Sequence, residues 1–270
     1  MPRSKTMLRV LHAERGDRLA TRELADLAGV DPLLCLRLLR AAEGRRSRRL
    51  GRETSTPLGA VMQLGVAGFG SLLRDSPEAE AGQPGLAGCE ARGVLAGRLA
   101  RSWGAARGDV VADEIAMAAL LAEAGELLLW TFAPELPQAA LDALAADGAG
   151  DAAAAQRLAC GFEFRDLTLA CAALWELPVL VTQLIRGVDD ARANLSRLCS
   201  DTARHLSRGP DDPELPFDLA AARRLIPNAS LPWLAARLVG LDEERRAAII
   251  HRAGEILASG TEAAPSMFTA

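Results

Sequence analysis

Residues 21–42 read TRELADLAGVDPLLCLRLLRAA and indicate a helical fold. Leucine and alanine recur in this stretch at helical spacing, and a glycine-valine-aspartate-proline turn at residues 29–32 interrupts them. Asp31 is a favourable N-cap and Pro32 a favourable first helical residue. The stretch therefore predicts one helix that ends near Gly29 and a second that begins at Asp31.

The rest of the chain repeats the helical pattern, and signals for β-strands are nearly absent. Valine and isoleucine are scattered, tyrosine is missing, and no stretch alternates apolar with polar residues over the length of a strand. We therefore expect an all-α fold, a multi-helix bundle. A third helix is predicted at residues 56–65 and a loop or weak helix at residues 74–88. Further helices are predicted at residues 89–105, 111–131, 134–146, 151–161, 165–176, 178–187, 190–207, 218–225, 230–238 and 242–259.

Glycine, proline and aspartate at residues 209–213 divide the chain more clearly than any other run. A length of 270 residues suits one large domain with a small addition. The sequence therefore predicts a helical domain at residues 5–208, a small C-terminal helical appendage at residues 214–259, and a frayed tail at residues 260–270.

The composition argues against several classes of partner and compartment. The chain has 31 basic and 35 acidic residues, so no overall positive field favours nucleic acid or an anionic membrane. Five cysteines without a Cys-x-x-Cys pair predict reduced thiols and no zinc. The first residues lack a secretory signal, and Glu123 and Glu126 interrupt the most apolar stretch, Ile115–Trp130. We expect a cytoplasmic protein without a membrane span.

The residues that could carry catalysis do not form a recognisable site. No histidine precedes an aspartate as in a His-Asp metal centre, and His12, His205 and His251 are predicted to lie on helix surfaces. Glu123 and Glu126 share a helix face, but no histidine joins them at ligand spacing. The glycines of residues 65–70 lack the preceding strand and the lysine of a phosphate loop. The sequence therefore predicts no catalytic residue, metal or cofactor.

A nucleic-acid contact is the alternative interpretation of residues 21–52. The helix pair resembles a helix-turn-helix, and a cluster of arginines that could contact phosphates follows it. Against this, the presumed recognition helix Pro32–Ala42 carries mostly leucine, alanine and cysteine, which cannot read base edges. The arginines that could contact nucleic acid or a protein partner are Arg45, Arg46, Arg48, Arg49 and Arg52.

Four motifs in order resemble those of the HDOD family over residues 20–205. The family's opening DP-x-L-x-x-R-L-L-R-x-A run is matched from Asp31, although Glu43 and Gly44 replace the usual Asn-Ser. Residues 56–65 are similar to the family's Leu-Gly helix, and residues 119–129 are similar to its segment with the His-Asp pair. The fourth motif is a Gly-x-x-His followed by a Trp-x-Leu-Pro pattern, and residues 161–164 and 172–178 are similar to its two parts.

The resemblance implies an all-helical relative of the His-Asp phosphohydrolases that has generally lost the metal site. The positions of the lost ligands would be Ala122, Glu123, Phe164, Gly187 and Val188. Alanine and phenylalanine cannot coordinate a cation, so the former site should be an apolar or partly filled pocket. The family acts in bacterial signalling and regulation. The expected function is therefore a non-enzymatic regulatory module that contacts an unidentified signalling protein.

Overall fold

The computed structural model describes residues 20–45, 53–76, 84–146 and 151–260. All the regular elements in these ranges are α-helices, which confirms the predicted fold class. In chain order they are α1 (Thr21–Ala28), α2 (Pro32–Arg45), α3 (Pro57–Asp75), α4 (Pro84–Gly104), α5 (Ala112–Leu120), α6 (Ala124–Phe132), α7 (Glu135–Ala145), α8 (Ala152–Cys160), α9 (Phe164–Leu174), α10 (Val179–Ile185), α11 (Ala191–Arg208), α12 (Leu215–Leu225), α13 (Leu231–Ala235) and α14 (Glu243–Ser259).

The chain forms two compact units, each built from separate parts of the sequence. The first comprises Met1–Ala91 and Glu123–Val179, and the second comprises Arg92–Ala122 and Leu180–Ala270. The division at residues 209–213 stays a prediction. The two units follow a different division, because α11 and α12 lie on either side of that run and pack against each other in the second unit. The predicted frayed tail lies outside the described residues, apart from Gly260.

In the first unit, α1 and α2 contact each other and both pack against α3. The predicted cap is confirmed, since the side chain of Asp31 accepts a hydrogen bond from the Leu34 N–H at 2.9 Å. Thr56 caps α3 in the same way through the Gly59 N–H. Leucine and alanine side chains of α1 and α2 are buried, which leaves few positions of α2 exposed.

The remaining helices of the first unit form a second layer of contacts. Helix α6 packs against α7 and α9, and α7 packs against α8. Leu129, Ala140 and Phe164 form the buried centre of this cluster, with partly buried residues such as Phe162 and Leu167 around them. Burial of this apolar surface stabilises the layer.

In the second unit, α11 packs against α5 and α12, and α12 packs against α13 and α14. Trp103 of α4 is fully buried, and its indole N–H donates to the Leu234 carbonyl at 3.3 Å. Arg107 donates to the Leu225 carbonyl at 2.6 Å. Both contacts connect helices after residue 213 to α4 or to the segment that directly follows it.

The helix predicted at residues 111–131 is wrong in one respect, because it is broken into α5 and α6. The N–H of Gly125 donates to the Thr168 hydroxyl at 2.8 Å, where an unbroken helix would direct it to the carbonyl of Leu121. Among the described residues, the stretch Ala112–Phe132 is apolar and long enough to cross a membrane, but 72% of its most apolar window is buried. Core helices of soluble proteins share that property.

Two further predicted boundaries are wrong around α3. The helix does not end at Gly65 but continues to Asp75 after a break at Gly65, where φ is 75° and ψ is 163°. Glycine tolerates that conformation, so the chain can turn and resume the helix. The next helix, predicted to begin at residue 89, begins at Pro84, within the segment predicted as a loop or weak helix, and proline is a favourable first helical residue. Residues 77–83 lie outside the described ranges.

Candidate functional site

Two of the positions predicted to have lost metal ligands end a helix. Gly187 and Val188 follow α10, and their N–H groups donate to the carbonyls of Leu184 and Gln183. Gly187 has a φ of 69°, which favours glycine, and the Val188 side chain is 39% exposed. In this structure the pair therefore closes α10. Ala122, in the same unit, is buried.

Two more of the positions predicted to have lost metal ligands, Phe164 and Glu123, lie in the first unit. Phe164 begins α9, and its ring packs beside Leu129 and Ala140 in the apolar centre. Glu123 is the half-buried residue that precedes α6. Neither the Phe164 ring nor the Ala122 methyl offers a lone pair, so these residues do not fit the imidazole-rich metal centre of His-Asp phosphohydrolases. The apolar pocket stays a prediction.

The structure brings Cys89 to Glu123 and Glu126, the two glutamates that the sequence places on one helix face. The Sγ of Cys89 and one carboxylate oxygen each of Glu123 and Glu126 lie within 4.8 Å of one another. Cys89 lies on α4 and the two glutamates lie at the start of α6, so no local spacing pointed to the cluster. A thiol and carboxylates are donors that could hold a cation such as Zn²⁺. The donor set nevertheless differs from that of the His-Asp centre, and the chemistry of that centre does not transfer to it.

Close packing holds the glutamates of α6 in place. A Cβ on Gly125 would lie 2.3 Å from the Phe164 carbonyl oxygen, so only glycine lets α6 approach α9 this closely. Trp130 donates its indole N–H to Glu126 at 3.1 Å. The Trp130 ring in turn lies where a Cβ on Gly85 would be. The direction of the Glu126 carboxylate is thus set by an indole that is itself closely packed.

Of the arginines predicted to contact a partner or nucleic acid, the structure describes only Arg45. Arg45 donates to the Leu64 carbonyl at 3.4 Å, next to the break at Gly65. The break deprives that carbonyl of its helical partner, and Arg45 supplies another. Arg45 therefore has an internal contact, in addition to any partner or nucleic-acid contact predicted for it. The other predicted contact residues, Arg46, Arg48, Arg49 and Arg52, lie outside the described residues.

A buried His-Asp pair links α11 to α12 in the second unit. Nδ1 of His205 lies 2.7 Å from Oδ2 of Asp218, and both side chains are largely buried. His205 is thus not the exposed residue that the sequence predicted, whereas His251 is exposed as predicted. Burial raises the pKa of Asp218 to about 6, although the contact with His205 counteracts the shift. The two residues are not adjacent in sequence, and they pair because α11 packs on α12.

The Trp-x-Leu-Pro motif forms the turn between α9 and α10. The Leu177 N–H donates to the Ala172 carbonyl at 2.9 Å, and Glu176 adopts a left-handed conformation with φ of 50°. Trp175 lies half-buried at the tip, and the Arg40 guanidinium lies 5.4 Å from its ring centroid. This distance allows a cation–π contact. The neighbouring Leu174 is 77% exposed.

Comparisons with known proteins place this geometry in a family. The model of the HDOD domain matches residues 2–191. The fold is similar to the MmoQ response regulator of Methylococcus capsulatus str. Bath, at a TM-score of 0.63 and 22% identity, with 92% of this chain and 96% of that chain covered. It is also similar to a virulence factor (cj0248) of Campylobacter jejuni subsp. jejuni, at a TM-score of 0.69 and 17% identity, with 92% and 93% covered.

A comparison with curated protein sequences gives no match. The two structural similarities, at these identities, concern the fold alone. The family model spans most of the chain and includes the segments whose motifs carried the resemblance, from the helix pair α1 and α2 to the turn before α10. The chain therefore belongs to the HDOD domain family.

Proposed function

We propose that this chain is a non-enzymatic regulatory module of bacterial signalling that acts in the cytoplasm through contacts with other proteins. The observation that carries the proposal is the loss of ligand side chains at Ala122 and Phe164 while the helices around them remain packed. A scaffold that keeps its helices without these ligands serves binding better than hydrolysis. A structural neighbour that is named a response regulator is consistent with signalling.

An assay of hydrolysis tests the non-enzymatic part of the proposal. The purified chain is incubated with nucleotides and cyclic dinucleotides, with Mg²⁺, Mn²⁺ or Zn²⁺ supplied, because Cys89, Glu123 and Glu126 could hold a cation. We expect no turnover above the protein-free control. Turnover that Glu123→Gln abolishes, and that the exposed control Glu135→Gln retains, would contradict the proposal.

Affinity capture from the native host, followed by reconstitution with the purified candidate, tests the protein-contact part. We expect a signalling protein that binds the purified chain directly and at a fixed stoichiometry. Direct binding by no protein, at any concentration used for reconstitution, would count against it. Such a result would leave the fold and the family unchanged.

Nucleic-acid binding through residues 21–52 has less structural support than protein contact. Most of α2 is buried, including Leu34, Leu38 and Leu39, so the presumed recognition helix has few side chains that could reach base edges. Titration of a labelled duplex at two salt concentrations tests this alternative. Tight binding that falls with salt and with Ala at Arg45, Arg46, Arg48 and Arg49 would favour it.

A further inference from the structure

One exposed face of the first unit combines unpaired positive charge with exposed apolar side chains. We call it the α2–turn face, and it comprises Arg37, Arg40, Leu174 and Trp175. Arg37 and Arg40 are three residues apart on α2 and both are exposed, while their neighbours toward the core are buried. The contact between Arg40 and the Trp175 ring joins the helix to the turn.

The turn presents its apolar side chains rigidly. Two backbone hydrogen bonds close it, from the Trp175 N–H to the Cys171 carbonyl and from the Leu177 N–H to the Ala172 carbonyl, each at 2.9 Å. Leu177 itself is buried, which anchors the turn from below. Leu174 therefore projects from a fixed backbone, and its exposure does not result from a frayed helix end. A rigid apolar side chain loses little entropy on binding.

The charge of this face is not neutralised within the described protein. Arg37 and Arg40 form no ion pair among the described residues, whereas other arginines do, for example Arg208 with Asp212 and Arg245 with Asp211. Glu53, which precedes α3, does not pair with either arginine, and its carboxylate accepts a hydrogen bond from the Val179 N–H at 3.0 Å.

The Arg40 guanidinium lies over the Trp175 ring, and a planar guanidinium in that position keeps donors at its edge. Those donors suit a carboxylate.

We propose that the α2–turn face is the docking site for an acidic segment of a partner protein that also carries apolar side chains. Arg37 and Arg40 contact its carboxylates, and Leu174 and Trp175 contact its apolar side chains. Tryptophan and arginine are the residue types that contribute most to binding energy at protein interfaces. This inference rests on the proposed function and adds the location and the chemistry of the contact.

Selection from a displayed library of random linear peptides tests the proposal with the full chain as bait. We expect enriched peptides to carry net negative charge together with apolar residues. In fluorescence anisotropy, the best peptide should bind the double variant Arg37→Glu/Arg40→Glu and the variant Leu174→Asp at least about tenfold more weakly. Higher salt should weaken its binding to the wild type.

Two matched variants control for charge and for loss of an exposed leucine. Arg186→Glu changes an exposed arginine elsewhere, and Leu158→Asp changes a leucine that is 70% exposed on α8. Both should bind the peptide as the wild type does, and circular dichroism should show that all variants fold. Enrichment of basic peptides, no enrichment at all, or equal affinity for the double variant would overturn the proposal.

The other outcomes separate this proposal from the proposed function. A captured host partner whose binding is insensitive to Arg37→Glu/Arg40→Glu would overturn the docking site and leave the regulatory function standing. A labelled duplex that binds the wild type and loses affinity in the same double variant would assign the arginines to nucleic acid and overturn the proposal. Hydrolysis in the enzyme assay would contradict the proposed function independently of this face.

Discussion

Glu176 holds a backbone conformation that glycine adopts more readily. Its φ of 50° lies in the left-handed region, where an L-residue with a Cβ is disfavoured by about 1–2 kcal/mol. We expect Glu176→Gly to raise the free energy of unfolding by about 0.5–1 kcal/mol, because glycine removes the backbone strain. The gain is smaller than the strain itself, since glycine also increases the conformational entropy of the unfolded chain. Urea denaturation measures the change.

Ala247→Gly is the matched control for Glu176→Gly, because Ala247 is an exposed residue within α14. A glycine there should lower the free energy of unfolding by about 1 kcal/mol. Destabilisation by both substitutions to a similar degree would show that the Glu176 side chain outweighs the backbone strain.

Asp218 should make the stability of the protein depend on pH. Its pKa of about 6 exceeds the usual 3.8, so the folded state binds its proton more tightly than the unfolded state does. This contribution is fully present below pH 4 and is lost as the pH rises through 6, by up to about 3 kcal/mol. Asp218→Asn cannot ionise, so we expect the variant to gain stability relative to the wild type between those pH values.

Urea unfolding of the wild type and of Asp218→Asn, at one pH below about 4 and one near neutrality, measures this difference. The exposed Asp142→Asn controls for the change in net charge. A difference in stability between the two proteins that stays constant with pH would contradict the raised pKa of Asp218.

At the scale of elements, the contact between α6 and α9 depends on one glycine. A Cβ at Gly125 would meet the Phe164 carbonyl oxygen at 2.3 Å and the Thr168 nitrogen at 2.8 Å, and both are backbone atoms. We expect Gly125→Ala to lower the free energy of unfolding by about 1–3 kcal/mol or more, because the helices must separate. Thermal and urea unfolding measure the loss.

Gly254→Ala is the control, since Gly254 is also helical and its Cβ would meet no atom within 4 Å. Alanine there should raise stability by up to about 1 kcal/mol. An unchanged stability in Gly125→Ala would show that α6 can move away from α9 at little cost. The positions of Glu123 and Glu126 would then be adjustable.

Helix starts were predictable from the sequence because a cap is a local interaction. Asp31 and Thr56 accept hydrogen bonds from N–H groups only three residues away, and the cap predicted at Asp31 is present. The break between α5 and α6 was not predictable, because it depends on the Thr168 hydroxyl, which lies far along the chain. A continuous apolar helix was the natural local interpretation, and a tertiary hydrogen bond overrides it.

The residues of the candidate sites also divide into those that local motifs indicate and those that only tertiary packing brings together. The motifs of residues 119–129 and 161–164 indicate Glu123 and Phe164, which lie at the starts of α6 and α9. The position of Cys89 was not predictable from the sequence, since only the packing of α4 and α6 brings its thiol to Glu123 and Glu126. Arg45 was predicted as a surface contact because its sequence neighbours are arginines, and its bond to the Leu64 carbonyl depends on the break at Gly65.

At the scale of the whole molecule, none of the five cysteines, all of which lie in the described residues, forms a disulfide, and four are buried. Burial raises the pKa of Cys35 to about 12 and also raises the pKa of Cys160, Cys171 and Cys199. The thiolate is the nucleophile that attacks a disulfide reagent and displaces its leaving thiolate, so we expect the native protein to react slowly, with Cys160 first because it is the most accessible.

Absorbance with a disulfide reagent, in buffer and in denaturant, measures these rates. Cys160→Ser should remove the fastest native phase, while the denatured chain should titrate all its remaining thiols. A fast phase that persists in Cys160→Ser would show that one of the buried cysteines opens to solvent in the native state.

The positions of the tryptophans give each unit its own optical signal. The chain has no tyrosine and four tryptophans, of which Trp130 and Trp175 lie in the first unit and Trp103 and Trp233 in the second. Arginines lie over Trp175 and Trp233, whereas the Trp103 ring is fully buried. Replacement of either pair by phenylalanine would leave the emission of a single unit. Melting of the two halves could then be followed separately in one intact polypeptide.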